Sequence, residues 1–255
     1  MRKQIFIVLF FMASLFLAPR FSWAYAIDGS LLDWGVVPFS DWIPSSPTAS
    51  YTVLDDVRPA SGGGGAPWGG EKYDVEALYF DYDASNIYFA MVSDLPLSDT
   101  NSGDLGIDKD NILDYEYGLK IKGISTSSSL QHVNLYQNRS WIDGSHAYAD
   151  PAYLSSSGGT LKGSEDIFYK KIWNLEDDNR YTYILEGKIP LSDLGIGPDQ
   201  DSDIYLHWSE KCANDFIDLH GYIHRCHPPV IPEPTSLSLL GLGLLGLLRR
   251  KKITS

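Results

Sequence analysis

Between residues 27 and 230, apolar and aromatic residues recur at every second position in short runs, and nowhere do they keep a helical period for more than about a turn. Ten such runs lie near 49–57, 74–82, 86–93, 103–108, 115–122, 130–137, 166–174, 180–189, 203–210 and 215–223, separated by Gly, Pro, Asn, Asp and Ser. That pattern predicts an all-β chain, and the spacing of the turns predicts an antiparallel β-sandwich of jelly-roll type rather than a βαβ fold. Asp83-Ala84-Ser85-Asn86 joins two runs, so 74–93 reads as a hairpin. Pro190 to Gly195 suits one helical turn, with proline at its start and glycine at its end. About 200 residues bury one sizeable core, and no internal repeat divides them.

The two ends differ from this middle. Removing residues 1–26 and 231–255 leaves 13 basic and 32 acidic groups, a formal charge of −19 against −13 for the whole chain. So acidic a body excludes nucleic acid as a partner, because phosphate binding needs a basic face. It also disfavours docking of the body on anionic lipid. At the N-terminus Arg2 and Lys3 precede the apolar run Ile5–Leu17, and Ser22-Trp23-Ala24 and Ala24-Tyr25-Ala26 each offer small residues at −3 and −1 of a cut. Residues 1–26 therefore read as a cleaved signal peptide, and the body, 27–230, as exported.

The C-terminus, 231–255, has three parts in order: Pro232-Glu233-Pro234, the Leu- and Gly-rich run 235–248, and Arg249-Arg250-Lys251-Lys252. The basic cluster stays on the cytoplasmic side, so the body faces outward. Fourteen residues make a helix of about 21 Å at ~1.5 Å per residue, short for a hydrocarbon core of about 30 Å. The prolines hold the preceding segment extended. This tail resembles the PEP-CTERM sorting signal of Gram-negative bacteria. The resemblance implies that Pro232, Glu233, Pro234, Arg249 and Arg250 address the chain to exosortase, a membrane-embedded transpeptidase-like enzyme. It also implies a precursor held transiently in the inner membrane, then the cell surface or the exopolysaccharide matrix.

The interior resembles family-9 carbohydrate-binding modules and DOMON-like sandwiches. The resemblance rests on Ile27-Asp28-Gly29 with Asp33-Trp34, on Tyr73–Tyr79 followed by Asn86–Ala90, on Gly103–Asp108 followed by Tyr115–Gly118, on Gly187–Leu191, and on Trp208–Asp215. It implies glycan binding without catalysis, often with structural calcium. Segment 138–165 aligns with nothing in that pattern.

The residues themselves point partly the same way. Sugar sites stack C–H faces on aromatic rings and hold hydroxyls with carboxylates and amides. Trp34 and Trp208 sit in apolar patterns and read as core; Trp42, Trp68 and Trp141 lie in polar or Gly/Pro-rich stretches and are the expected polysaccharide contacts. Asp99, Asn101, Asp104, Asp108 and Asp110, with Asp114 and Glu116 close behind, form an oxygen-rich stretch suited to Ca2+, although its spacing is not that of an EF-hand. A solvated acidic face is the plainer reading of the same residues. Cys212 and Cys226, an even pair in an exported body, are expected to form a disulfide. His220, His224, Cys226 and His227 make a weaker transition-metal set. The glycine run 62–65 lacks the Lys-Ser/Thr ending of a phosphate loop, and no hydrolase or metalloprotease motif is present. The expectation is a non-enzymatic, exported protein that binds or organises exopolysaccharide. A matrix protein without a sugar site and a secreted glycosidase are the alternatives.

Overall fold

The computed structural model describes residues 25–45, 48, 50–54, 73–110, 114–144, 151–173, 181–212 and 215–225. Of the expected signal peptide, residues 1–24 lie outside the described residues, and so does the whole sorting tail. Among the described residues no helix is long and apolar enough to cross a membrane.

Among the described residues there are twelve strands: β1 (Ser50–Val53), β2 (Val75–Tyr82), β3 (Asn86–Ser93), β4 (Leu105–Asp108), β5 (Tyr117–Leu119), β6 (Gln131–Gln137), β7 (Trp141–Ile142), β8 (Tyr153–Leu154), β9 (Thr160–Trp173), β10 (Tyr181–Pro190), β11 (Ser202–Ser209) and β12 (Phe216–Ile223). Ten of them make one sheet in the order β1-β2-β3-β10-β9-β6-β5-β4-β11-β12, and β7-β8 form a small second one. The β2-β3 hairpin turns at Asp83, whose carboxylate accepts from the N–H groups of Ser85 and Asn86. After β10 the chain makes a turn in which Ile196 N–H donates to the Leu191 carbonyl, closed by Gly195 at a φ of 68°.

The all-β, antiparallel expectation holds. The layering differs from the expected two-sheet jelly roll: one continuous sheet curls nearly into a barrel. β1 and β2 come to lie against β12, and the Thr52 hydroxyl donates to the Asp218 carbonyl at 2.8 Å across that seam. Curling in this way removes most of the exposed edge that an open ten-stranded sheet would present. Alternate residues of each strand fill the interior, with Phe80, Phe89, Leu135, Tyr169, Leu206 and Trp208 all at most 1% exposed.

Two segments cover parts of the outer surface. Residues 25–45 lie on β2, β3 and β10, where Leu31, Trp34, Val36 and Trp42 pack with Tyr79 and Val92. The segment is locked by Glu186 of β10, whose carboxylate accepts from the N–H groups of Asp28, Gly29 and Ser30 and from Trp34 Nε1. Segment 138–165 supplies the second cover. Its β7-β8 pair lies over β5 and β4, and Trp141 and Leu154 sit so close to Gly118 that a Cβ there would meet them at 2.8 and 2.6 Å. Gly106 leaves comparable room for the Tyr115 ring. The remainder of that segment begins β9 at Thr160, six residues before the predicted start.

Candidate functional site

Beyond the second cover, the outer face of β11 and β12 is open. Strand alternation places polar and aromatic residues there in rows: His207 opposite Asp218, Tyr205 opposite His220 and Asp203 opposite Tyr222. Tyr205 also pairs with Asp108 of β4. The Tyr205 and His220 rings are parallel within 5° at 4.3 Å, and His220 Nε2 meets Asp203 Oδ1 at 2.8 Å. Tyr222 packs edge-on against His224 at 4.4 Å. His207 is buried at the border of the cover, with Nδ1 2.6 Å from Asp218 Oδ1 and Nε2 3.0 Å from the Pro151 carbonyl oxygen.

At the end of β4 this strip meets a carboxylate cluster. One oxygen each from Asp108, Asp110, Asp114 and Glu116 falls within 4.8 Å of the others. Asp108 is buried, Glu116 half-buried, and Asp110 and Asp114 exposed. Asp108 Oδ1 accepts from Asp110 N–H, and Glu116 Oε2 from Lys109 N–H, so the turn holds its own side chains in place. Burial, then the facing charges of Asp108 and Asp110, raise the Glu116 carboxyl above its usual range. Oxygen donors of this kind suit a hard cation such as calcium.

The residues expected from sequence divide sharply. Asp108 and Asp110 enter the cluster. Asp99 and Asn101 sit at the other end of β4, where Asp99 caps a turn through Asn101 N–H and the Asn101 carbonyl accepts from Lys211 N–H. Asp104 is a structural hub: its two oxygens accept from Ile121, Lys122 and Leu154 N–H and from Lys120 Nζ, so it is not part of the metal set. Trp42 is not exposed as expected. It is 7% accessible and sealed in the N-terminal cover, where its carbonyl accepts from the Tyr79 hydroxyl. Trp141 is half-buried, with Nε1 donating to the Tyr115 carbonyl at 3.0 Å, so it fastens the second cover instead of standing free. Trp68 and Cys226 lie outside the described residues, and so does the pairing of the two cysteines; Cys212 Sγ is 3.2 Å from Glu210 Oε2. Of the four-residue transition-metal set, His227 is also outside the described residues, while His220 and His224 belong to the aromatic rows.

Sequence reasoning did not single out Tyr205, Tyr222 or Trp173. Trp173 is 46% exposed and stands perpendicular to Tyr181 at 4.8 Å, with Lys171 Nζ 3.1 Å from the Tyr181 ring centre. The available signal was alternation within strands: outward positions of β11 and β12 carry Tyr, His and Asp where a purely structural face carries Thr, Ser or Lys.

Residues 230–252 match the PEP-CTERM protein-sorting motif. No curated protein and no solved structure matches the chain. The motif defines the class of protein: an exosortase substrate, made as a secreted, membrane-anchored precursor and sorted to the cell surface.

Proposed function

We propose that this protein is a non-catalytic component of a Gram-negative extracellular matrix whose β-body binds exopolysaccharide through the outer face of β11 and β12. The observation that supports this reading most is the Tyr205–His220 stack flanked by Asp203 and Tyr222. Flat rings offer sugar C–H faces a stacking surface, and the adjacent carboxylates and imidazoles hold hydroxyls. The Trp173–Tyr181 pair is a less suitable platform, because a lysine already occupies the Tyr181 face. The reading includes calcium held by Asp108, Asp110, Asp114 and Glu116 beside the rings.

The matching experiment uses the processed protein recovered from the producer's surface or medium. Its retention on the producer's own exopolysaccharide should fall at least about tenfold in Tyr205→Ala/Tyr222→Ala, the equivalent of about 1.4 kcal/mol. The polysaccharide should show no new reducing ends after incubation. Equal retention of wild type and variant would favour a matrix protein without a sugar site, and release of reducing ends would favour the glycosidase.

A further inference from the structure

The two ends of the described body meet at one place. Tyr25, the first described residue, donates its hydroxyl to Asp81 at 2.6 Å and packs against Tyr88 at 5.4 Å, beside the β2–β3 turn. The last two described residues reach the same turn. His224 N–H donates to the Tyr82 hydroxyl at 3.0 Å, and Arg225 Nη1 donates to the Ala84 carbonyl at 2.8 Å. Arg225 N–H also donates to Asp201 Oδ1 at 2.6 Å. Leu191 N–H donates to the Ser85 carbonyl at 2.8 Å, so the turn after β10 belongs to this pole of the curled sheet as well.

Antiparallel pairing fixes where the other pole lies. β2 ends and β3 starts at the first pole, and Ser202 at the start of β11 pairs there with Ile223 at the end of β12. Asp94, which follows the last residue of β3, marks the far pole. So does Ser127, whose N–H donates to the Tyr169 carbonyl beyond the Gln131–Ile167 pair that begins the β6–β9 ladder. The eight residues of β2, at ~3.3 Å each, put the poles about 25 Å apart.

The sorting motif gives this placement its consequence. Pro232 lies seven residues beyond Arg225, inside the matched motif. A fully extended chain covers at most about 3.3–3.6 Å per residue, so Pro232 lies within about 25 Å of the first pole. At the other end, Tyr25 directly follows Ala24, the last residue before one of the two expected signal-peptide cuts. Both segments expected to enter the membrane therefore leave the body from one pole.

We infer that in the membrane-held precursor this pole faces the bilayer, with the strands rising away from the lipid surface. The short tether alone holds it there, because so acidic a body is not drawn to anionic lipid. The membrane-embedded sorting enzyme then meets the body at the β2–β3 turn and Asp201, and cutting the tail uncovers that surface. Nothing in this placement depends on polysaccharide or on calcium.

The test uses the precursor purified from a host without exosortase and held by its tail in zwitterionic nanodiscs that carry a gadolinium-chelating lipid. Amide resonances of Ala84, Ser85, Asn86 and Asp201 should broaden several-fold more than those of Asp94, Gly123 and Ser127. Inserting about forty Gly/Ser residues after Arg225 gives a flexible coil long enough to free the body, and should erase the difference between the poles. Equal broadening at both poles, stronger broadening at Gly123 and Ser127, or no broadening anywhere would overturn the placement. A difference that survives the longer tether would show that lipid attraction, not the tether, orients the body, and would overturn it too.

Discussion

The same sheet presents two outer faces that have been finished in opposite ways. Over β2, β3 and β10 the N-terminal segment lays down Leu31, Trp34, Val36 and Trp42, and four donors converge on the carboxylate of Glu186. Over β11 and β12 the cover stops at His207, and rows of Tyr, His and Asp stay open to water. One face spends its aromatic residues on burial and the other keeps them available. Aromatic content alone therefore says little about binding; what separates the two faces is whether a segment of chain is anchored above the rings.

The largest effect should come from opening the sealed face. Trp34 is fully buried and hydrogen-bonded to Glu186, so Trp34→Ala should cost about 3–5 kcal/mol in denaturant unfolding. A loss below about 1 kcal/mol would mean that the N-terminal segment is not an integral part of the core.

A second test is pH. Burial raises the Glu186 carboxyl to about 8, and burial followed by the charge of Asp193 raises Glu165 to about 7, each from an ordinary value of 4.5. A carboxyl raised on folding binds its proton more tightly in the native state. Its contribution is complete below about pH 4.5 and is lost as pH climbs through 7 and 8. Melting temperature measured in chelator should therefore fall between about pH 5 and pH 9. A rise across that window would contradict these assignments.

Smaller effects sharpen the boundary of the sealed face. Tyr25 stacks on Trp34 at 4.0 Å between ring centres and donates its hydroxyl to Asp81 at 2.6 Å. Of the two cleavage positions, only the one after Ala24 preserves it, so the mature protein should begin at Tyr25 by N-terminal sequencing. A start at Ile27 would remove an aromatic pair worth about 0.5–1.5 kcal/mol. On the open face, Tyr222→Ala should change stability by no more than about 0.5 kcal/mol, because that side chain is 36% exposed.

Strand positions were largely legible because each run alternates over a half-buried ladder, and Asp83 announced its hairpin. The near closure was not: whether β12 meets β1 and β2 depends on the twist accumulated over ten strands, which no local pattern records. The β7-β8 cover escaped for a related reason, since two-residue strands carry too little periodicity to detect. Among the expected site residues, Asp108 and Asp110 do come together with Asp114 and Glu116, because carboxylates close in sequence converge at the end of β4. Asp104 was misread because its four donors come from residues 16 to 50 positions away. Trp42 was misjudged because a polar loop was equated with an exposed one, although Tyr79 and Phe39 close over it.

The contrast between the faces can be read in a single measurement: hydrogen exchange of the processed protein, alone and with the producer's exopolysaccharide. Binding should slow exchange in β11, β12 and the Asp108–Glu116 turn, leaving residues 25–45 and β2-β3 unchanged. Protection confined to residues 25–45 and β2-β3, or no protection anywhere at saturating polysaccharide, would contradict the assignment of the open face as the binding surface.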